Sequence, residues 1–383
     1  MTTETKIRTK DVADDTSLRS LEISIGRAKI MTPSKSLGAD LVSPNKVMFP
    51  NTGTQFNEIY KTFTPESLIK IRNDQPTSRK KNLEFQKLRD NVPNSPAISF
   101  IDYKVKEGER LIPTDAEINT LTNFAYTYSD ITPIPALPNF VTSINHENYD
   151  DFRTYLKKSI ESIEIWNHKP IMGYLPFVGV VFLEDIIDLY VEHGINAYYL
   201  DFNRKGFGDL TAITAIKKQL GTHDLQDNHF IHFINMDYGK VNKEINVLPA
   251  KDFLGFGHGL DSMGNSHRPK GFSKKEGQLP SPLPPKKYRV FDREGYGYYR
   301  IEVANLEHKE TPYPEKAVFS REMILHEKTK VNKDRMMGLV NLQEQTTECS
   351  QLQLIAAENV KHSFEYFATK PCLDKKDLKK IKR

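Results

Sequence analysis

The chain has 383 residues, 38% of them hydrophobic and 27% charged, with a formal net charge of +4. This length suits two domains or one large α/β barrel with an appendage, and 21 Phe and 17 Tyr supply core side chains that a disordered polar chain lacks. The longest apolar stretches, such as Ile171 to Leu183, fall short of the ~20 residues that cross a bilayer, so no membrane role is expected. No apolar leader opens the sequence. Two cysteines, Cys349 and Cys372, cannot by themselves build a disulfide framework or a four-ligand zinc site. A cytoplasmic protein with no metal and no cofactor is the expectation.

Residues 1–20 are polar and read as a flexible N-terminus. Leu21 to Ile30 alternates like a strand. Residues 50–95 are rich in Lys, Arg, Asn, Thr and Pro and predict one helical stretch, Pro65 to Arg72 with Thr64 as N-cap, and little core. Ala97 to Lys106 predicts a strand, Glu107-Gly108 a turn and Leu111-Ile112 a short return. Thr114 and Glu117 form a capping box that opens a helix. Ile131 to Val141 reads as extended. Tyr149 to Trp166 repeats Phe152, Leu156, Ile160 and Ile163 at helical spacing. Pro170 to Phe177 predicts a buried strand, and Leu183 to His193 a helix closed by Gly194. A strand over Ile195 to Phe202, a helix over Leu210 to Leu220, a strand over Phe230 to Met236 and a weaker strand over Lys251 to Phe256 follow. Residues 264–287 form a basic Pro/Gly/Ser-rich loop. VFDREGYGYYRIEV predicts a hairpin around Arg293-Glu294-Gly295, and Asn332 to Phe367 reads as helical throughout.

Strands that are continuous apolar runs, alternating with helices from about 97 to 256, predict a parallel sheet buried on both faces. About six βα units fit an α/β fold of the (β/α)8 TIM-like barrel type if residues 21–60 and 288–303 add strands. A doubly wound sheet is the alternative. The domain reading is a barrel over 21–305, a C-terminal helical extension over 306–369 and a basic tail over 370–383. That tail holds seven Lys/Arg against two Asp, or +5, which leaves −1 for the rest of the chain. Such a tail favours polyanions through counterion release, or is simply a solvated end.

In a barrel the residues just after each strand face the active site. These positions single out Asp102; Asp201, Asn203 and Arg204; Asn235 and Asp237; and His258, Asp261 and His267. Asp201 and Asp237 read equally well as N-caps of the following helices. His258, Asp261 and His267 sketch a metal site, but their spacing matches no established ligand motif. Glycines at 255, 257, 259 and 264 let the backbone approach a ligand or make a plain loop.

Several collinear segments resemble the tRNA-guanine transglycosylase family, its archaeal branch more than its bacterial one. They are EISIGRAKIMTPS, AISFIDYKVKEGERLIPTDAEINTL, SDITPIPAL, KPIMGYLPFVGVVFLEDIIDLYVEHGINAYYLDF, HFINMDYGK, KDFLGFGHGLDS, VFDREGYGYYRI and NLQEQTTECSQLQLIAAENVKHSFEYFATKP, spanning about 21–370. The chain departs from the family in lacking its Asp-Ser-Gly-Gly-Phe segment and its zinc site. Both of the family's glycine pairs are replaced, by Pro176-Phe177 and by Asp201-Phe202.

The resemblance implies a TIM barrel that exchanges guanine for a 7-deazaguanine base in a nucleic acid, tRNA first and DNA as an alternative. It places the catalytic nucleophile at Asp261, followed by Ser262, with Gly255 as an alternative register. Asp201, Asn203, Arg204, Asp237 and His258 are the expected substrate-binding residues. A carboxylate suits the task because it stabilises an oxocarbenium-like transition state and attacks the anomeric carbon. Two other readings stand beside this one. One is a non-catalytic nucleic-acid-binding subunit, as a homo- or hetero-dimer with a transglycosylase. The other is an unrelated small-molecule barrel enzyme.

Overall fold

A computed structural model describes residues 5–42, 55–166, 168–207, 210–237, 247–268, 287–302, 305–306, 308, 313–358 and 362–382. The chain opens with an antiparallel three-stranded sheet, β1 (Lys6–Val12), β2 (Arg19–Ile25) and β3 (Ala28–Met31). The expected flexible N-terminus therefore contains a paired strand. The segment read as one strand from Leu21 to Ile30 is a hairpin that reverses at Gly26, whose φ of +58° suits a residue without Cβ. Leu21 and Ile23 point from this sheet into the main core.

The parallel strands follow. They are β4 (Ser34–Lys35), β5 (Leu37–Gly38), β6 (Asn57–Phe63), β7 (Ala97–Tyr103), β8 (Thr132–Pro133), β9 (Ile171–Pro176), β10 (Ala197–Asp201), β11 (Phe230–Ile234) and, after β12 (Val247–Pro249), β13 (Ser262–Met263). A six-stranded parallel sheet has the order β4-β13-β11-β10-β9-β8, and a three-stranded parallel sheet has the order β5-β6-β7. One residue, Ser36, separates β4 from β5. On the other side, Asp102 of β7 forms a parallel bridge with Ala136 just beyond β8, with Tyr103 N donating to Ala136 O and Ala136 N to Ile101 O. Helices fill the connections, so the strands between them are buried on both faces: every residue of β7, β9, β10 and β11 is buried. The fold is mixed α/β, with twelve α-helices among the described residues.

The helices form where capping and periodicity agree. Thr114 and Glu117 cap each other reciprocally at Asp115–Tyr128, and Thr64 does the same with Ser67 at Pro65–Asn73. Tyr149–Glu164 buries Phe152, Leu156, Ile160 and Ile163. Val180–Glu192 is followed by Gly194 at φ +67°.

Other expectations need correction: Ile131 to Val141 is not extended throughout, since it holds β8 and ends in a helical turn, Pro138–Val141. Residues 50–95 contain β6 and a second helix, Gln75–Asp90, besides the expected one. Leu111-Ile112 is not a return strand. Lys251 to Phe256 is not a strand but a 3-10 turn (Lys251–Phe253) running into a helical turn (Leu254–Gly257), and the strand of this region is β13. The hairpin β14 (Lys287–Asp292) and β15 (Gly297–Glu302) is present, but it pairs antiparallel with β12 and adds nothing to the parallel strands. Of the expected loop 264–287, residues 269–286 lie outside the described set.

The C-terminal part has Lys330–Glu358 as its long helix, then Ser363–Ala368. The basic tail is not a free appendix. Asp374 caps a helix over Lys375–Ile381, and its Leu378 and Ile381 are buried in the main core. Ile381 sits where a Cβ on Gly257 would be 3.1 Å away. Lys370 is buried over the rings of Tyr296 and Tyr366. No helix among the described residues is long and apolar enough to cross a membrane.

Candidate functional site

Polar side chains converge where the parallel strands end. β6 contributes Glu58 and Tyr60, β7 contributes Asp102, β10 ends on Asp201, β11 contributes His232 and is followed by Asn235, and β13 is followed by Gly264 to Arg268. Most of these side chains are buried, so each must find a hydrogen-bond partner within the site.

Arg268 is the centre of the constellation. Its Nε donates to Asp102 Oδ2 and its Nη2 to Asp102 Oδ1, both at 2.8 Å. Its Nη1 lies 2.7 Å from Asp201 Oδ2 and donates to Asn203 Oδ1 at 3.1 Å. One planar guanidinium thus bridges two strand-end carboxylates. The pair is completed from the protein side: Tyr60 Oη donates to Asp102 Oδ2 at 2.6 Å, while Asn203 N and Asn235 Nδ2 donate to Asp201 Oδ1. Asn203 and Arg204 hold left-handed φ values of 45° and 68°, an uncommon backbone for non-glycine residues that turns the chain back across the strand end. Arg204 N then donates to Asn235 O. Burial raises the Asp201 carboxyl above the usual range and Asp102 adds to this, against the pull of Arg268. Burial also works against the charged form of Arg268, but Asp201 and Asp102 outweigh it and hold the guanidinium charged.

A second knot lies beside the first. Glu58 is fully buried. Its Oε1 accepts from His232 Nε2 at 2.7 Å and Ser36 Oγ at 2.5 Å. Its Oε2 accepts from His267 Nε2 at 2.8 Å and from the Asn265 backbone and side chain at 3.0 and 2.7 Å. Burial alone would raise this carboxyl, yet the two imidazole hydrogen bonds and their charges hold it well below the usual carboxylate range. His267 also stacks on Tyr60, ring centroids 4.5 Å apart, and its backbone N donates to Asn235 Oδ1. Residues 264–268 are thereby fastened into the mouth. Gly264 permits this, because a Cβ there would lie 2.4 Å from Ile234 Cγ2 and 2.6 Å from Glu58 Oε1.

The structure separates the residues expected from sequence into two groups. Asp201, Asn203 and Arg204 lie at the strand exits with Arg268 and Asp102. Asp237 is near them, its backbone N donating to Lys205 O. Asp261 and His258 are elsewhere. Asp261 precedes β13 and accepts from Ile231 N at the start of β11, so it sits at the strand-entry end. There it is fully buried and held in two 2.7 Å hydrogen bonds by Arg19 Nε and Nη2. Arg19 is further tied to Gln226 O and His229 O. The expected nucleophile Asp261 thus stands at the strand-entry end, and the structure does not bring it together with Asp201, Asn203 and Arg204.

His258 follows the helical turn Leu254–Gly257, stacks on Phe207, and is pushed down to about 4 by burial and by Lys217 and Lys380. The sketched trio of His258, Asp261 and His267 is therefore not assembled. Among the described residues no group of three or more His, Cys, Asp or Glu is placed to hold a metal ion. The aromatic replacements for the two glycine pairs, Phe177 and Phe202, are buried with ring centroids 5.6 Å apart, and Phe202 joins Phe207 and Phe233 in the core.

Sequence reading missed Glu58, Tyr60, His232 and Arg268. A signal was present for His232: a single imidazole inside FIHFI, a strand otherwise fit for burial, marks an interior polar position. Nothing local marks Arg268, whose partner Asp102 is 166 residues away. A cavity of about 650 Å³ opens instead beyond the strand entries, lined by Lys6, Arg27, Arg89 and Lys169 among others. Arg89 there is already paired with Asp130, both about one-third exposed. The strand-exit mouth has the convergent buried charges that a binding site needs, and we take it as the functional site on that chemistry rather than on volume. No protein-family profile matches the chain, and no curated protein matches its sequence.

Proposed function

We propose that the chain is a (β/α)8 barrel related to the tRNA-guanine transglycosylases, and that its strand-exit mouth binds a guanine-type base of a nucleic acid for exchange with a 7-deazaguanine. The uninterrupted run of parallel pairings from β8 through β13 to β4, the single residue between β4 and β5, and the bridge from β7 to the end of β8 support the barrel. The observation that carries the functional reading is the convergence of Asp102 and Asp201 on one planar N–H fork. A guanine edge, with its ring N–H and 2-amino group, offers Asp201 N–H donors of the same kind and leaves Asp102 free of the guanidinium.

The working carboxylates in this reading are Asp102 and Asp201, with Asp261 as a structural anchor. Asp201 is the deeper of the two and has no exposed surface; it takes the base edge. Asp102 lies nearer the rim, 3.8 Å from the partly exposed Lys104, and serves as nucleophile. As its oxygen bonds to the anomeric carbon, the bond from that carbon to the base nitrogen breaks and the electron pair leaves with the base. The incoming base reverses the step and frees the carboxylate. The target nucleotide must leave its stack to reach the mouth. The partner is a nucleic acid, tRNA before DNA.

A second reading has its own support. Arg268 fills the mouth and the glycine pairs are replaced, which favours a non-catalytic nucleic-acid-binding subunit, a homo- or hetero-dimer partner of an active transglycosylase. Trapping separates the two: protein incubated with tRNA or DNA is run on a denaturing gel. Exchange chemistry gives an adduct that maps to Asp102 and is lost in Asp102→Asn. Retarded native complexes with no adduct select the binding subunit, and neither result with a folded protein rejects both.

A further inference from the structure

Buried guanidinium groups that bridge carboxylates are common structural clamps. The one at Arg19 is of that kind, with one guanidinium on one carboxylate and its other contacts on the carbonyls of Gln226 and His229 and on the His229 ring. Arg268 differs in its charge count and in what it blocks. It lies against two carboxylates at once, hydrogen-bonded to Asp102 and in ion-pair distance of an Asp201 Oδ2 that has no hydrogen-bond partner among the described residues, and Lys104 stands 3.8 Å from Asp102. Its described hydrogen bonds go to Asp102 and Asn203, and its Nη1 also lies 2.7 Å from Asp201 Oδ2. The segment that delivers it, 264–268, enters through a backbone space that exists only because residue 264 has no side chain.

From this we infer that Arg268 is an internal occupant of the base site. Its guanidinium stands toward Asp201 where the N–H edge of a base would stand and toward Asp102 where the reacting sugar would approach, and a guanine or 7-deazaguanine binds by displacing it. The inference rests on the base-binding reading of the mouth. Two kinds of contact hold the occupant, and they differ in durability. The bonds of Glu58 to Asn265 and His267 pin the approach of the segment and do not touch the base. Only the Arg268 side chain has to leave. Lys104 stays behind as the counter-charge at Asp102. The protein as described is thus the self-occupied state, and its apparent affinity for a base is reduced by the fraction of molecules in which Arg268 is withdrawn.

The probes are 7-deazaguanine and methylguanidinium, the latter a free copy of the arginine head group, titrated into wild-type protein and Arg268→Ala. The variant should bind 7-deazaguanine at least about tenfold more tightly than wild type, as removal of a competing internal state requires. Methylguanidinium should compete with the base in the variant and have no effect on wild type. Equal affinity of the two proteins for 7-deazaguanine, or methylguanidinium that binds the variant without competing, overturns the inference. Should Arg268→Ala not fold, Arg268→Lys keeps the charge but cannot span both carboxylates; it should bind the base more tightly than wild type, and failure to do so counts against the inference in the same way.

Wild-type protein supplies an independent readout. Phenylglyoxal labelling of Arg268, followed by peptide mass, should speed up when 7-deazaguanine saturates the site, and continued protection of Arg268 at saturation contradicts displacement. Tighter, competitive binding by the variant without guanine exchange on nucleic acid sinks the proposed exchange and leaves the internal occupant standing. Exchange by wild type with no gain in Arg268→Ala does the reverse.

Discussion

The two ends of the parallel strands each bury an arginine on an aspartate in a two-pronged hydrogen bond, yet they are built for different purposes. At the entry end Arg19 and Asp261 balance in charge, and carbonyls from Gln226 and His229 take up the rest of the guanidinium. Ile231 N completes Asp261. Nothing is left over for a ligand. At the exit end Arg268 faces both Asp102 and Asp201, so two carboxylates share one guanidinium and Asp201 Oδ2 has no hydrogen-bond partner among the described residues. A closed, neutral clamp stabilises a fold, whereas a buried site with a surplus carboxylate is one that a ligand can complete. An aspartate's identity or its neighbouring glycines therefore do not distinguish a nucleophile from an anchor. The side of the strand on which it stands, and the charge count around it, do.

The largest effect is expected at the entry end. Arg19→Ala leaves Asp261 buried without its counter-charge and should cost about 3–5 kcal/mol in urea unfolding. The folded fraction should bind base as wild type does. A loss within 1 kcal/mol would break the distinction between clamp and site, at about the level of an exposed pair. Next comes the C-terminal helix. Ile381 is buried against Gly257, so Ile381→Ala should cost about 2–4 kcal/mol by loss of packing. A stability unchanged by this substitution, with a weakened salt dependence of nucleic-acid binding on removing 370–383, would restore the tail to a free polyanion-binding end.

At the exit end the balance reverses between stability and binding. Asp201→Asn removes one of two carboxylates sharing one guanidinium, so its stability should stay within about 1 kcal/mol of wild type. Its affinity for 7-deazaguanine should fall by about tenfold or more, the cost of losing a charge-assisted hydrogen bond. Calorimetric titration alongside thermal unfolding checks both, and a variant that unfolds while its remaining folded molecules bind normally would make Asp201 another clamp.

The smallest effect is a difference in acid response. Glu58, tied to His232 and His267, is held below its ordinary value of 4.5. The folded state thus takes up its proton later than the unfolded one, and the stability Glu58 supplies is present above that value and lost as pH falls through the lower folded one. Asp261 is raised above 3.8, so its contribution has the opposite sign: stability declines as pH rises from 3.8 through its folded value. Unfolding curves of Glu58→Gln and wild type should converge in acid, and a gap that widens there would contradict the assignment.

Much of the frame is legible in the sequence because local and global signals agree. The capping boxes at Thr64 and Thr114 and the apolar ladder from Tyr149 to Glu164 announce helices, and PIMGYLP, AYYLD and FIHFI announce buried strands. β6 is hidden because its sequence, NEIYKTF, spends its inward positions on Glu58 and Tyr60, which belong to the mouth and not to the apolar core. The misplacement of Asp261 has a single cause. Reading Lys251 to Phe256 as a strand puts the following loop at a strand exit, whereas β13 begins only at Ser262 and puts that loop at a strand entry. One misplaced element exchanged the two ends of the fold. Arg268 was beyond reach for another reason: its role is set by Asp102 and Asp201, which only the folded chain brings to it.

The most direct test of the central claim is incorporation of radiolabelled guanine into tRNA, and in parallel into DNA, by wild-type protein, Asp102→Asn and Asp201→Asn, each shown to be folded. The mouth proposed here predicts label in one of the two nucleic acids with wild type and none with either variant. Label retained by both variants, or no label from a folded wild-type protein that also fails to bind 7-deazaguanine, contradicts it.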